Sequence, residues 1–237
     1  MSTFVLVHGA WHGAWCWHKV VPLLRNRGHR VLVPDLPGHG RDQTPINSVS
    51  MESYAQRVAD VMRAATEPVV LVGHSMGGFV ISAAAEQQPE TVAKLVYLAA
   101  FLLDDGQTFG DVASQDAGSV VSAGLVPSAD GASMTVKAGT LTEAFYADCS
   151  DADIALAELA LGPECAAALG GRMHVTPARW GRIPRVYIEC TQDRAVSIAS
   201  QRRMVAALPC EKVITMETSH SPFFSAPEAL AQHLLNL

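Results

Sequence analysis

Three residue types that together activate a hydroxyl stand far apart along this chain: a serine at 75, an aspartate at 193 and a histidine at 220. Ser75 lies in Gly73-His-Ser-Met-Gly77, with a further glycine at 78. The pattern G-x-S-x-G marks a nucleophile elbow when a buried strand precedes it and a helix follows. A turn that tight leaves no room for a Cβ at the flanking positions, which is what glycine supplies. A serine hydroxyl is a poor nucleophile until an imidazole takes its proton, so Ser75 needs a general base, here assigned to His220. The imidazole needs an acceptor on its other nitrogen to fix its tautomer and stabilise its cation, and Asp193 is assigned that role. Negative charge developing beside Ser75 calls for an oxyanion hole, with the backbone N–H groups of Ala10 and Met76 as its candidates. Asp104 and Asp105 are the competing acids.

These residues work together only if the chain delivers them to one place. Val69–Val72 is an apolar, mostly β-branched run, the composition of a strand buried on both faces, and Phe79–Gln88 reads as a helix ended by Pro89. Further strands are predicted at Thr3–Val7, Arg30–Val33, Lys94–Ala99, Arg185–Glu189 and Lys212–Met216. Helices are predicted at Trp17–Arg27, Met51–Ala65 with Ser50 as N-cap, Ile198–Leu208, and after a capping box at Ser225-Ala-Pro-Glu228. Six short apolar strands alternating with helices predict the α/β class: a six-stranded, mostly parallel sheet with helices on both faces. In such sheets reactive groups collect at the carboxyl ends of the strands. His8-Gly-Ala10, Ser75, Asp193 and His220 each follow a strand, so one edge receives all of them.

The rhythm breaks between Asp104 and Arg182, where no strongly apolar strand is evident but Leu141–Ala147 and Ala152–Leu161 read as helical. Such a length is too great for a simple connection and holds too many apolar residues for disorder. Residues 1–103 and 183–237 are therefore expected to form the core domain and residues 104–182 a helical cap (lid). Phe101, Leu125, Phe145 and Leu161 are its candidates for lining an acyl pocket.

Composition narrows the function. A net charge of −6 with no basic run argues against nucleic acid, and no apolar stretch is long enough to cross a membrane. Five scattered cysteines without C-x-x-C spacing indicate reduced thiols and a cytoplasmic setting, and the N-terminus has no signal-peptide pattern. No metal or other cofactor is expected: His8 and His12 are four apart, but on a glycine-rich loop without a carboxylate partner. His74 reads as a packed elbow residue, and His39 and His174 have no constellation around them. Exposed cap helices could form a homodimer contact.

Four segments resemble a known family: F-V-L-V-H-G-A-W-H-G-A-W-C-W at Phe4–Trp17, V-G-H-S-M-G-G at Val72–Gly78, R-V-Y-I-E-C-T-Q-D at Arg185–Asp193, and T-S-H at Thr218–His220. They resemble the α/β-hydrolase superfamily, in the branch of plant methylesterases and hydroxynitrile lyases with bacterial esterase relatives. The resemblance implies the α/β-hydrolase fold and a serine carboxylesterase acting on small to medium apolar esters through an acyl-enzyme. Lyases of the branch keep a hydroxyl or amide side chain after the first loop's histidine, and many add a lysine after the catalytic histidine. Gly9 and Ser221 stand at those positions here, Ser221 as a further candidate substrate contact. The alternatives are a hydroxynitrile lyase-type carbon–carbon lyase and a non-catalytic binding protein of the same fold.

Overall fold

The computed structural model describes residues 1–237. Strands β1 (Thr3–Val7), β2 (Arg30–Leu32), β3 (Val69–His74) and β4 (Val92–Leu98) precede a long inserted segment. That segment holds β5 (Leu125–Pro127), β6 (Ser133–Val136) and β7 (Glu164–Cys165), and β8 (Arg185–Cys190) and β9 (Lys212–Met216) follow it. The main sheet runs β2-β1-β3-β4-β8-β9 with every pairing parallel, so all six carboxyl ends share one edge. All five residues of β1 are buried, as its unbroken apolar run requires of a central strand covered on both faces. Val7 pairs with Gly73 and His74 with Leu98, so the chain leaves β1, β3 and β4 at adjacent points. No helix is long and apolar enough to cross a membrane.

The helices differ from the sequence reading at two ends. Ala14–Trp17 is a 3₁₀ turn and the helix proper is Val20–Arg25, not one run from Trp17 to Arg27. The capping box at Ser225 does not form: Pro222–Ser225 is its own helical turn, and Pro227–Leu235 starts from Ala226 without a side-chain cap. Pro227 occupies the first helical position and has no N–H to satisfy, so the cap has less to do there. Ser50, by contrast, does cap Met51–Arg63, accepting from the Ser53 N–H.

The larger correction concerns the inserted segment. It contains the helices Ala138–Phe145 and Asp151–Ala160, but also an antiparallel sheet of order β5-β6-β7 in a segment whose sequence reads as mostly helical. The turn between β5 and β6 is built by Asp130, whose Oδ1 accepts from Ser128 Oγ at 2.6 Å and from the Ala132 N–H at 3.0 Å, with Gly131 at φ +70°. These strands are short and mostly half-buried or exposed, so they lack the apolar alternation by which a strand is read.

Candidate active site

Ser75 stands between β3 and the helix Gly77–Gln87 at φ +54°, a conformation that costs a non-glycine residue about 1–2 kcal/mol. Its backbone is clamped: the N–H donates to Leu98 O at 3.2 Å, and its carbonyl accepts from Gly78 and Phe101 at 3.0 Å each. A Cβ at Gly73 would lie 2.5 Å from Gly77 O, and one at Gly77 would lie 2.8 Å from His8 O. Both glycines are therefore required by close backbone approach.

Asp193 and His220 meet after β8 and β9. His220 Nδ1 donates to Asp193 Oδ2 at 2.7 Å, with both side chains essentially inaccessible to solvent. The carboxylate is held from three further directions: Oδ1 accepts from the Ala195 and Val196 N–H groups at 2.7 and 2.9 Å, and Oδ2 from Gln201 Nε2 at 3.1 Å. Burial pushes the Asp193 carboxyl up, while His220 and the two amides pull it back. Gln201, fully buried, also bonds both backbone groups of Cys190 and the carbonyl of Val196. Nothing in the sequence marked it, because a lone glutamine on a helix carries no pattern. Asp104 and Asp105 lie elsewhere, exposed, with Asp105 Oδ1 accepting from the Val175 N–H.

His220 Nε2 is buried and has no hydrogen-bond partner. Its backbone is fixed from both sides. His74 Nε2 donates to the His220 carbonyl at 2.9 Å, and the two rings lie 4.5 Å apart, bringing the residue before Ser75 against the imidazole. One residue earlier, the Ser219 N–H donates to Asp148 Oδ2 at 2.8 Å. Burial, and then repulsion from His220, drives the His74 pKa far down, so this ring is neutral.

The loop after β1 faces Ser75. A Cβ at Gly9 would meet Ser75 Cβ at 2.8 Å, so the loop's backbone reaches Ser75 directly. The Ala10 and Met76 N–H groups donate to no other protein atom. His8 Nδ1 donates to Gly9 O at 2.8 Å while its Nε2 accepts from the Leu36 N–H. His12 Nδ1 donates to Ala10 O at 2.7 Å and its Nε2 accepts from Tyr146 Oη. Both rings are neutral braces, with burial lowering the His12 pKa to about 4. His39 is a correction. It has a constellation after all, a buried pair with Glu164 that Tyr54 joins. Its partners come from 15 and 125 residues away, separations no local motif could show. His174 is exposed, 3.9 Å from Asp105.

Ser75, Ala10 and Trp11 open onto a cavity of about 500 Å³ whose lining includes Phe101, Leu125 and Phe145. Leu161 and Ser221 are not in that lining, which corrects two expectations. Leu161 ends the helix Asp151–Ala160 and packs on the hydrophobic core, and Ser221 is fully buried at the start of the next helical turn. Asp116 is the one charged residue of the lining, and its Oδ2 already accepts from the Ser197 N–H at 2.8 Å. No group of three or more His, Cys, Asp or Glu side chains is placed to hold a metal ion.

Residues 4–233 match the alpha/beta hydrolase family, and the chain belongs to it. Methylesterase 2 of Arabidopsis thaliana is 35% identical over 98% of this chain and 94% of its own length. Putative methylesterase 11, chloroplastic, of the same plant is 33% identical over 99% of this chain but only 63% of its own length. The chain thus spans less than two thirds of putative methylesterases 11, 13 and 15 of that plant. Among solved structures, the pyrethroid hydrolase from Sphingobium faniae JZ-2 superposes with a TM-score of 0.85 at 31% identity, covering 99% of this chain and 96% of that one.

Proposed function

We propose that the protein is a serine carboxylesterase in which Ser75, His220 and Asp193 form the catalytic triad. The observation that carries this is the buried His220: one nitrogen is bound to Asp193 at 2.7 Å and the other is unpartnered, against the elbow that strains Ser75 to φ +54°. His220 takes the Ser75 proton as the hydroxyl oxygen attacks the ester carbonyl. The resulting oxyanion is held by the Ala10 and Met76 N–H groups, each such donor contributing about 3 kcal/mol. Collapse expels the alcohol with the proton from His220, and water activated by the same ring releases the acid.

A cavity of about 500 Å³ with apolar walls and no cationic side chain fits neutral, small to medium apolar esters. Residues 104–182 act as the cap over that cavity, and five unpaired cysteines favour a reducing compartment such as the cytoplasm. Hydrolysis is favoured over carbon–carbon cleavage because the close approach of Gly9 to Ser75 leaves no room for an added hydroxyl side chain. The test is a panel of p-nitrophenyl esters of rising chain length plus aryl methyl esters, run with wild type and Ser75→Ala. Turnover that survives in Ser75→Ala would sink the mechanism. Cyanide release from mandelonitrile would point to the lyase, and failure of a fluorophosphonate to label Ser75 would point to a binding protein.

A further inference from the structure

Trp11, the residue after the Ala10 donor, is at φ +64°, strained for a bulky side chain, yet no glycine stands there. Three groups hold it, all from the inserted segment. Its carbonyl accepts from the Gly162 N–H at 2.9 Å, its indole Nε1 donates to Met134 O at 2.9 Å, and its N–H donates to Glu164 Oε2 at 3.3 Å. Met134 and Glu164 are register partners between β6 and β7. The small antiparallel sheet therefore grips Trp11 from both sides of one ladder rung.

Glu164 is an expensive residue to place there. It is 0% exposed, and a buried carboxylate is tolerated only when its lone pairs are well satisfied. Oε1 accepts from Tyr54 Oη at 2.7 Å and from the Cys165 N–H at 2.9 Å, and Oε2 accepts from His39 Nε2 at 3.1 Å and from Trp11. His39 Nδ1 faces Pro37 O at 3.1 Å, so both its nitrogens face acceptors and the ring is an imidazolium, the counter-ion of Glu164. Bonds to Glu164 accordingly hold the His39 pKa above its ordinary value, against its burial. Replacing such a buried pair as a whole by apolar residues of similar volume is often neutral for stability, so stability alone does not account for the ion pair.

What the pair does is fix one peptide plane. The Ala10–Trp11 peptide is held at its carbonyl by His12 and at its N–H by Glu164, and the preceding Gly9–Ala10 peptide is held at its carbonyl by His8. With both planes pinned, the Ala10 N–H has one direction in which to point. We propose that Glu164 is a positioning residue for the oxyanion hole, acting through Trp11 so that the Ala10 N–H is aimed only when the inserted sheet is seated. This rests on the ester-hydrolase reading above. It assigns β6 and β7 a part in the chemistry as well as in enclosing the cavity.

The test compares wild type with Glu164→Gln on p-nitrophenyl butyrate and with a pair of ketone inhibitors. An aryl trifluoromethyl ketone forms a hemiketal: the Ser75 oxygen bonds the carbonyl carbon, the hydroxyl proton passes to His220, and the carbonyl electron pair becomes an oxyanion. The matching aryl methyl ketone binds without forming it. The expected result is a fall in kcat of about 10-fold to 100-fold with KM within about twofold. Affinity for the trifluoromethyl ketone should drop by the same factor while that for the methyl ketone holds. A variant that melts at lower temperature but keeps kcat and trifluoromethyl ketone affinity within about twofold of wild type would overturn the proposal, since that is a purely structural role. If Glu164→Gln does not fold, Tyr54→Phe removes one partner of the carboxylate. It should lower the same two quantities about threefold to tenfold, and no change in either would be equally fatal. A wild type that turns over no ester and takes no fluorophosphonate label would instead bring down the esterase reading, and this inference with it.

Discussion

Two loops at one edge of the sheet each hold a non-glycine residue at positive φ, Ser75 at +54° and Trp11 at +64°, and they are held by opposite means. The elbow is held by the core strands and helix around it: backbone bonds from Leu98, Gly78 and Phe101, and glycines at 73 and 77 that let the backbone close up. The loop after β1 is held from a distance, by a carboxylate, a carbonyl and an N–H delivered from 123 to 153 residues downstream. The first arrangement is rigid wherever the core is folded. The second also draws on the inserted segment, so Ser75 and the loop carrying Ala10 are held by different parts of the chain.

Substitutions can break that comparison at either end. Ser75→Ala should abolish esterase turnover, by about 10⁶-fold in kcat, while unfolding remains cooperative, which calorimetry alongside the assay would check. Asp193→Asn should cost about 10⁴-fold, because an amide favours the wrong His220 tautomer, and turnover near wild type would return Asp104 and Asp105 to consideration. Trp11→Ala should destabilise the fold by about 3–5 kcal/mol in urea melts, since a residue only 6% exposed would leave a cavity beside Phe145. At position 75 the sign should reverse. Ser75→Gly should be more stable than Ser75→Ala by about 1 kcal/mol, because glycine adopts φ +54° without Cβ strain. Equal stabilities would mean that the elbow stores no strain.

The histidines sharpen the same contrast through pH. His8, His12 and His74 are buried neutral, with folded-state pKa values below 6.5 and that of His12 at about 4. Their contribution to stability is therefore present above pH 6.5 and is lost as pH falls toward 4, by up to about 1.4 kcal/mol per unit for each ring. His39 has the opposite sign: its raised pKa gives stability that is full below 6.5 and fades as pH rises through the folded-state value. Chemical melts of wild type and His12→Asn between pH 4 and 7 should show a shallower acid loss in the variant. An unchanged slope would mean that His12 is not the neutral brace described here.

The legible parts of this molecule are those whose causes are local. An apolar run such as Val69–Val72 has to be buried, the glycines around Ser75 have to make room, and parallel strands have to present their carboxyl ends together. The β strands of the main sheet, and the place of Ser75, Asp193 and His220 after three of them, followed from these alone. The sheet β5-β6-β7 did not, because β5 and β6 are largely half-buried or exposed and β7 is only two residues long, so none carries a hydrophobic period. Nor did Gln201, whose role is visible only once Asp193 and Val196 are folded around it. Leu161 and Ser221 misled for a related reason, since an apolar or hydroxyl side chain near a site does not reveal which way it faces.

The sequence by itself determined which residue types stand after which strands, Ser75 after β3, Asp193 after β8 and His220 after β9, the placement on which the proposed triad rests. Only the tertiary structure decided how the loop carrying Ala10 and Trp11 is held. The bond from Trp11 to Glu164 spans 153 residues, and no pattern along a chain encodes which buried carboxylate will meet which backbone N–H. Such a contact arises when segments distant in sequence pack together and every buried polar group must find a partner.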